Sequence, residues 1–226
     1  MGETKIPDPA VMPVDREAWW RHPLHLVNFM NAYATYRDLR SLDGVRAVLI
    51  VGPGQGLDTV VLRWQGFEVT TLDIDELSHA DHIGSVHEMN MFGDRQFDVV
   101  VASHVLEHFA AAHTERALAE IARVGRYALI YLPVHGRHLR LRLTPGVRDW
   151  DWSVIADVGR WWERPDGLEP RYCEGQHFWE VGLRGFRVKD LERRLSAFFE
   201  VIRGYRNPEW LASHNFVLRS RRWSSR

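Results

Sequence analysis

The apolar residues of this chain follow two spacings that predict alternating strands and helices. Nearly continuous apolar runs are typical of strands buried on both faces of a parallel sheet, and they predict strands at residues 45–51, 67–74, 97–102 and 127–132. Apolar residues that recur every three or four positions predict helices over residues 24–40, from 57 to Gly66, over 114–124 with Thr114 as N-cap, and over 188–198. Strands that alternate with helices imply βαβ crossovers and a parallel sheet.

Weaker patterns complete the predicted sheet. A short third strand is predicted within residues 82–90, and two last strands at 199–205 and 215–219. The connection between the last two is short, so they could pair antiparallel. Residues 1–15 are rich in Pro and Asp and are expected to form an irregular lead-in to the helix that ends near residue 40. We therefore expect one domain spanning residues 1–226.

Residues 136–180 interrupt the alternation of strands and helices. They have no clear period and hold five of the ten tryptophans: Trp150, Trp152, Trp161, Trp162 and Trp179. Long irregular insertions are usually functional or disordered, and so much aromatic area argues for order. We expect a lid over the carboxyl ends of the strands that forms the pocket for a substrate. The alternative is that the tryptophans only pack the segment onto the domain.

The composition excludes several classes of protein. The formal net charge of −1 provides no field that would attract nucleic acid or an anionic membrane. The longest apolar runs are far shorter than a membrane span, and the first residues do not resemble a signal peptide. A single cysteine, Cys173, rules out an intrachain disulfide and a zinc site built from cysteines. We expect a cytoplasmic protein that acts on a small molecule or a glycan. The sequence does not predict the oligomeric state.

A glycine-rich loop follows the first predicted strand. The residues Gly52-Pro53-Gly54-Gln55-Gly56 stand between that strand and a helix, where glycines allow a sharp turn and the close approach of a ligand. The start of the helix adds oriented N–H donors. A dinucleotide fingerprint needs glycine at position 57, where this chain has Leu57. The loop is thus closer to one that binds S-adenosylmethionine (SAM) than to one that binds NAD.

An acidic residue, Asp73, ends the second predicted strand, seventeen positions after Gly56. A carboxylate at this point can accept hydrogen bonds from both ribose hydroxyls of an adenosine. Asp75 is a neighbour that could take the same role. The loop and the acid together are more specific than either alone.

Four stretches in succession resemble the motifs of class I SAM-dependent methyltransferases. They are VLIVGPGQG, VTTLDID, FDVVVASHVLEH and EIARVGRYALIYLP, and the chain is most similar to a bacterial subgroup whose first loop reads G-P-G-x-G. The later GQHFWEVG and NPEWLASHNFVLR resemble that subgroup as well. The resemblance implies an α/β fold with a Rossmann-like, seven-stranded, mostly parallel sheet, helices on both faces and an antiparallel last strand. It also implies SAM lying across the carboxyl ends of the strands.

The resemblance assigns expected roles to eight residues of the cofactor site. Three glycines would line the methionine part, one acid would hold the ribose, three residues would lie near the adenine, and one would lie under the sulfonium: Gly52, Gly54, Gly56; Asp73; Ile74, Ser85, Val86; and Ser103. The chain departs from the subgroup at Ile50 and Ser85, where the subgroup usually has acids. These departures leave open the alternative of a SAM-binding protein without catalysis.

The sequence His104-Val105-Leu106-Glu107-His108 admits a different interpretation. H-x-x-E-H on a helix is the inverted motif of zinc proteases, and Glu174, Glu180 or His177 could supply a third ligand. This zinc hydrolase is the less favoured alternative, because the motif stands where the methyltransferase pattern places it. We read both histidines as part of a methyltransferase helix and expect no stoichiometric zinc.

Methyl transfer is a displacement at a sulfonium that already carries a good leaving group, so the protein mainly aligns the reactants. Transfer to a hydroxyl would benefit from a general base. His135 follows the fifth predicted strand, and His177 and Glu180 precede the last helix, so these three are the catalytic candidates. The expected activity is O- or N-methylation of a small molecule, a glycan or a lipid precursor.

Overall fold

The computed structural model describes residues 24–143, 152–159, 161–165 and 169–223. The predicted lead-in at 1–15 and Trp150 lie outside these ranges. The helices are α1 (Leu26–Arg40), α2 (Leu57–Trp64), α3 (Ala111–Val124) and α4 (Val188–Leu195). The strands are β1 (Ala47–Val51), β2 (Glu68–Asp73), β3 (His82–Ile83), β4 (Phe97–Ser103), β5 (Gly125–Pro133), β6 (Arg137–Leu143), β7 (Trp152–Val158), β8 (Phe199–Arg206) and β9 (Ser213–Ser220).

Seven of these strands form one sheet in the order β3-β2-β1-β4-β5-β9-β8. The strands β1 to β5 pair in parallel, and β9 runs antiparallel to both of its neighbours, β5 and β8. The expected Rossmann-like sheet with an antiparallel last strand is confirmed. The order reverses between β1 and β4, and ligands of open α/β sheets bind outside the carboxyl ends of the strands at such a point.

The central strands are buried on both faces, which explains their continuous apolar runs. Successive residues of a strand point to opposite faces, so Leu49 and Val51 join one apolar cluster while Val48 and Ile50 join the other. The first cluster also contains apolar residues of α3 and α4, and the second contains apolar residues of α1 and α2. The result is three layers, with a helix pair on each face of the sheet.

A buried carboxylate fixes α1 to the sheet. Asp38, which has no exposed surface, accepts hydrogen bonds from Tyr131 Oη at 2.8 Å, Tyr205 Oη at 2.5 Å and an Arg203 guanidinium nitrogen at 2.9 Å. Hydrogen bonds to a charged acceptor are among the strong ones. They hold α1 where its first two turns can face the carboxyl ends of the strands.

Three predicted local features are wrong. Helix α3 begins at Ala111 with Ala110 as N-cap, so Thr114 is an interior, buried residue and does not cap the helix. Residues 136–180 are not wholly irregular, because β6 and β7 pair there as an antiparallel hairpin. His104 and His108 do not share a helix: His104 has φ +55°, and only Leu106–His108 form a single 3-10 turn.

Within the described ranges, no helix combines the length and apolar character needed to cross a membrane.

Candidate functional site

A cavity of about 390 Å³ lies at the carboxyl ends of β1, β2 and β4. Residues from the loop after β1, from the ends of β2 and β4, and from the segment after β3 line one side of it. Val27, Asn28 and Asn31 of α1 close another side, and His177 and Trp210 reach it from later in the chain. The cavity therefore lies where the sheet topology places a ligand site.

The glycine loop takes backbone conformations that side chains disfavour. Gly52, Gly54 and Gly56 have φ values of +62°, +53° and +79°, in the left-handed region that glycine adopts without strain. A Cβ on Gly52 would also lie 2.9 Å from Val105 Cγ2. Gly52 and Gly54 line the cavity, whereas Gly56 is the N-cap of α2 and does not line it.

The other expected cofactor residues all line the cavity: Asp73, Ile74, Ser85, Val86 and Ser103. Asp73 ends β2, and its Oδ1 accepts a hydrogen bond from the backbone N of Asp75 at 2.9 Å. Ser103 ends β4, and its hydroxyl donates to Asn31 Oδ1 at 3.1 Å. The structure thus brings together seven of the eight residues, although they come from four different segments of the chain.

Sequence reasoning missed one further carboxylate in the cavity. Asp58 lies in the first turn of α2, and its Oδ2 accepts hydrogen bonds from Asn31 Nδ2 at 3.2 Å and Thr35 Oγ1 at 3.3 Å. Burial raises the pKa of Asp58 to about 6, and the hydrogen bond from Thr35 opposes this only in part. The burial comes from the packing of α1 on α2, which a local pattern does not reveal. Ile50, the position that lacks the subgroup's acid, lines the same cavity.

We expect Asp58→Asn to be more stable than the parent above pH 6. Because the folded state raises the pKa of Asp58 to about 6 from about 3.9 in the unfolded chain, the carboxyl's contribution to stability is present at low pH. It is lost as the pH rises to 6. The two values differ by an amount worth up to about 3 kcal/mol, and contact with solvent in the cavity reduces this. Urea unfolding at pH 4.5 and at pH 7.5 measures it, with the exposed Asp43→Asn as control. An equal gain at both pH values would contradict the raised pKa.

The three catalytic candidates form one hydrogen-bonded group. Glu180 binds His177 through Oε1 and His135 through Oε2, each time at the Nδ1 atom and at 2.8 Å. Of the three, only His177 lines the cavity. Glu180 does not line the cavity, because its two oxygens are directed at the two imidazoles.

The protonation of His177 follows from its surroundings. Burial alone would lower the pKa of His177, but contacts with Cys173 and Glu180 and the charge of Glu107 raise that pKa to about 10. Burial would raise the pKa of Glu180, but the hydrogen bonds and charges of His177 and His135 lower it. A ring that keeps its proton at neutral pH donates hydrogen bonds. The surroundings thus favour His177 as a donor over the general base expected from the sequence.

The tryptophans of residues 136–180 do not line the cavity where their side chains are described. Trp161 and Trp162 are exposed, and Trp179 is buried in the core, with 1% of its surface exposed. Among the described residues of this segment, only Gln176 and His177 reach the cavity. The cavity's tryptophan is instead Trp210, whose ring centroid lies 4.6 Å from that of His104.

Comparison with known proteins agrees with this geometry. Residues 49–127 match a family model described as a methyltransferase domain. The sequence matches none of the curated proteins with which it was compared.

Solved structures extend the likeness to most of the chain. The PH0226 protein from Pyrococcus horikoshii OT3 has 13% identity and a TM-score of 0.56, over 87% of this chain and 92% of that one. The 1,6-didemethyltoxoflavin-N1-methyltransferase of Burkholderia thailandensis has 19% identity and a TM-score of 0.52, over 95% and 93%. The glycopeptide N-methyltransferase MtfA has 15% identity and a TM-score of 0.52, over 84% and 89%. At these identities the solved structures show a shared fold, and the family match covers residues 49–127.

Proposed function

We propose that this chain is a class I SAM-dependent methyltransferase, which binds SAM in the cavity described above and transfers its methyl group to an oxygen or nitrogen of a small molecule, a glycan or a lipid precursor. The observation that carries the proposal is the joint placement of the glycine loop, Asp73 and Ser103 around one cavity at the reversal of strand order. In this arrangement the loop from Gly52 to Gly54 holds the methionine part of SAM. Asp73 accepts from the ribose hydroxyls, and Ser103 lies under the sulfonium.

The adenine would lie between Ile74 and the segment of Ser85 and Val86. Ile74 exposes 49% of its surface in the absence of a ligand, and covering it with an adenine ring would remove apolar area from water. Ser85 Oγ already lies 2.9 Å from His87 Nδ1. A neutral hydroxyl here replaces the acid of the similar subgroup and contacts the edge of the base without adding charge.

Asp58 can take the role of the acid that the similar subgroup has at position 50, where this chain has Ile50. A cavity without any carboxylate near the glycine loop would lack a partner for the ammonium of SAM. Asp58 lines the cavity two residues after Gly56 and already has two donors, Asn31 and Thr35, that fix its orientation. We assign the ammonium to Asp58. The alternative of a SAM-binding protein without catalysis was based on the missing acids, so this assignment makes that alternative less favoured.

The acceptor is expected to enter beside His177. Two of the three neighbours of similar fold named above act, by their names, on a small molecule and on a glycopeptide. His177 and Gln176 supply polar groups at the cavity wall, and Trp210 supplies an apolar surface. His135 and Glu180 do not line the cavity and would act through His177. Glu180 fixes the His177 ring by the hydrogen bond with the Nδ1 atom of His177, and His135 holds the other oxygen of Glu180. The zinc hydrolase loses its basis, since His104 and His108 lack the helical arrangement that its motif needs.

The test is methyl transfer itself. The purified protein should convert SAM to S-adenosylhomocysteine when a panel of hydroxyl- and amine-bearing acceptors contains its substrate, with product and methylated acceptor in equal amounts by mass spectrometry. His177→Ala should then lower turnover by about 100-fold, as expected for loss of an aligning contact, and should change SAM affinity little.

The matched control is His113→Ala, since His113 on α3 does not line the cavity. It should retain both turnover and affinity. An equal loss of turnover and affinity in His177→Ala would remove His177 from the acceptor side. SAM binding without S-adenosylhomocysteine formation across the panel would favour the non-catalytic alternative.

A further inference from the structure

The side chain of Glu107 is an anomaly in the core. It has no exposed surface, and neither carboxylate oxygen accepts a hydrogen bond within the described residues. Two histidine nitrogens lie near its Oε1, His104 Nδ1 at 3.4 Å and His177 Nε2 at 4.0 Å. Burying a carboxylate without hydrogen-bond partners lowers the stability of the folded state by roughly several kcal/mol unless a cation compensates the charge. The anomaly calls for a cationic partner.

Each of two imidazoles beside Glu107 has one ring nitrogen held by a hydrogen bond to an acceptor, which makes the other nitrogen the candidate metal ligand. His108 Nδ1 lies 3.1 Å from the carbonyl oxygen of Gln176, which can only accept, so this nitrogen carries the proton. His177 Nδ1 donates to Glu180 Oε1 at 2.8 Å. Each Nε2 atom is therefore the candidate ligand, and Nε2 of His177 must release its proton when the ion binds. Metal-bound histidines almost always donate their other ring N–H to a carboxylate or a backbone carbonyl in this way.

We propose that Glu107, His108 and His177 bind a divalent metal ion. One carboxylate oxygen of Glu107 and one ring nitrogen from each histidine lie within 4.8 Å of one another. Ligands at about 2.0 Å from a tetrahedral zinc ion lie about 3.3 Å apart. Small rotations of the three side chains close that difference, and Gln176 and Glu180 serve as the second layer that orients the rings.

The donor set selects the kind of ion. Two imidazoles and one carboxylate suit Zn²⁺ or a similar transition metal, whereas Mg²⁺ and Ca²⁺ prefer oxygen ligands. Three protein ligands leave a position open, and both His108 and His177 line the cavity. If the proposed function holds, an acceptor heteroatom can occupy that position and lose its proton more readily there.

This site differs from the zinc motif considered in the sequence. Glu107 takes the place of His104 among its ligands, while His177 is one of the third ligands that the sequence had offered. It also reverses the expectation that no zinc binds, because the sequence did not show Glu107 meeting His177. The rival arrangement is a protonated His177 that alone balances Glu107 and Glu180.

Zinc titration of the metal-stripped, full-length protein tests the proposal without reference to methyl transfer. A chromophoric zinc indicator measures the affinity, and the shift in melting temperature reports binding to the folded state. We expect one zinc ion per chain, and a loss of at least about 100-fold in affinity for Glu107→Gln and for His177→Ala. Glu180→Gln should lose about 10- to 100-fold, as second-layer changes do. His113→Ala should match the parent.

Cobalt provides a second measurement that does not depend on the stability of a Glu107 variant. Co²⁺ bound by the parent should give the intense visible absorption of a four-coordinate site, and His108→Ala should lose it. Zinc affinity unchanged by His177→Ala or by His108→Ala would overturn the site, as would the absence of any raised melting temperature in the parent. Methyl transfer is scored separately, so zinc binding without transfer would contradict the proposed function and leave the metal site intact.

Discussion

Replacing Asp73 with Ala is expected to lower the affinity for SAM by about 10- to 100-fold. Asp73 is the carboxylate at the end of β2 that lines the cavity, and its removal would leave the ribose hydroxyls without their charged acceptor. Such a loss costs roughly 1–3 kcal/mol, and each 1.4 kcal/mol is about tenfold in affinity. Calorimetric titration with SAM measures the change directly.

The matched control for Asp73 is Asp75→Ala. Asp75 lines the same cavity, but its Oδ1 accepts from the backbone N of Leu77 and so belongs to the following turn. We expect its loss to reduce affinity much less than the loss of Asp73. The opposite ranking, with Asp75→Ala weak and Asp73→Ala like the parent, would move the ribose contact to Asp75. Melting temperatures of both variants separate a binding defect from unfolding.

Replacing Trp179 with Ala is expected to destabilise the protein by about 3–5 kcal/mol, the usual cost of removing a large buried aromatic residue. The indole has 1% of its surface exposed, stacks on Phe186 with ring centroids 4.9 Å apart, and donates from Nε1 to the carbonyl oxygen of Phe109 at 3.1 Å. Its loss would leave both a cavity and an unpaired carbonyl. Urea unfolding, with the midpoint and slope compared between variants, measures the change.

Trp64→Ala is the control, because Trp64 on α2 exposes 81% of its surface. It should change stability by no more than about 0.5 kcal/mol. The comparison also decides between the two interpretations of the tryptophans in residues 136–180. A Trp179→Ala variant as stable as the parent but unable to turn over its acceptor would restore Trp179 to the predicted lid.

The features that the sequence predicted well are those set by neighbouring residues. The run Val48–Val51 is apolar because β1 is buried on both faces, and the glycines of the next loop are required by its left-handed backbone. Asp73 could be located because it follows directly on a recognisable strand. In each case the local pattern and the tertiary role agree.

The features that the sequence predicted poorly depend on contacts between residues that are distant along the chain. Thr114 has a side chain that can cap a helix, but α3 begins three residues earlier, at Ala111. Ala111 packs against the apolar core and belongs to the first turn of the helix. The aromatic character of Trp179 did not distinguish a lid from a core position. The meeting of Glu107 with His177 depends on how the segment after β7 folds back on the turn after β4. No periodicity along the chain records that contact.

The central claim is that the cavity at the ends of β1, β2 and β4 is a SAM site. Calorimetric titration of the purified chain with SAM, S-adenosylhomocysteine and NAD under one set of conditions tests it most directly. Because Leu57 replaces the third glycine of a dinucleotide loop, we predict saturable one-to-one binding of SAM and S-adenosylhomocysteine and no measurable binding of NAD. Tight binding of NAD with no binding of SAM would contradict the account.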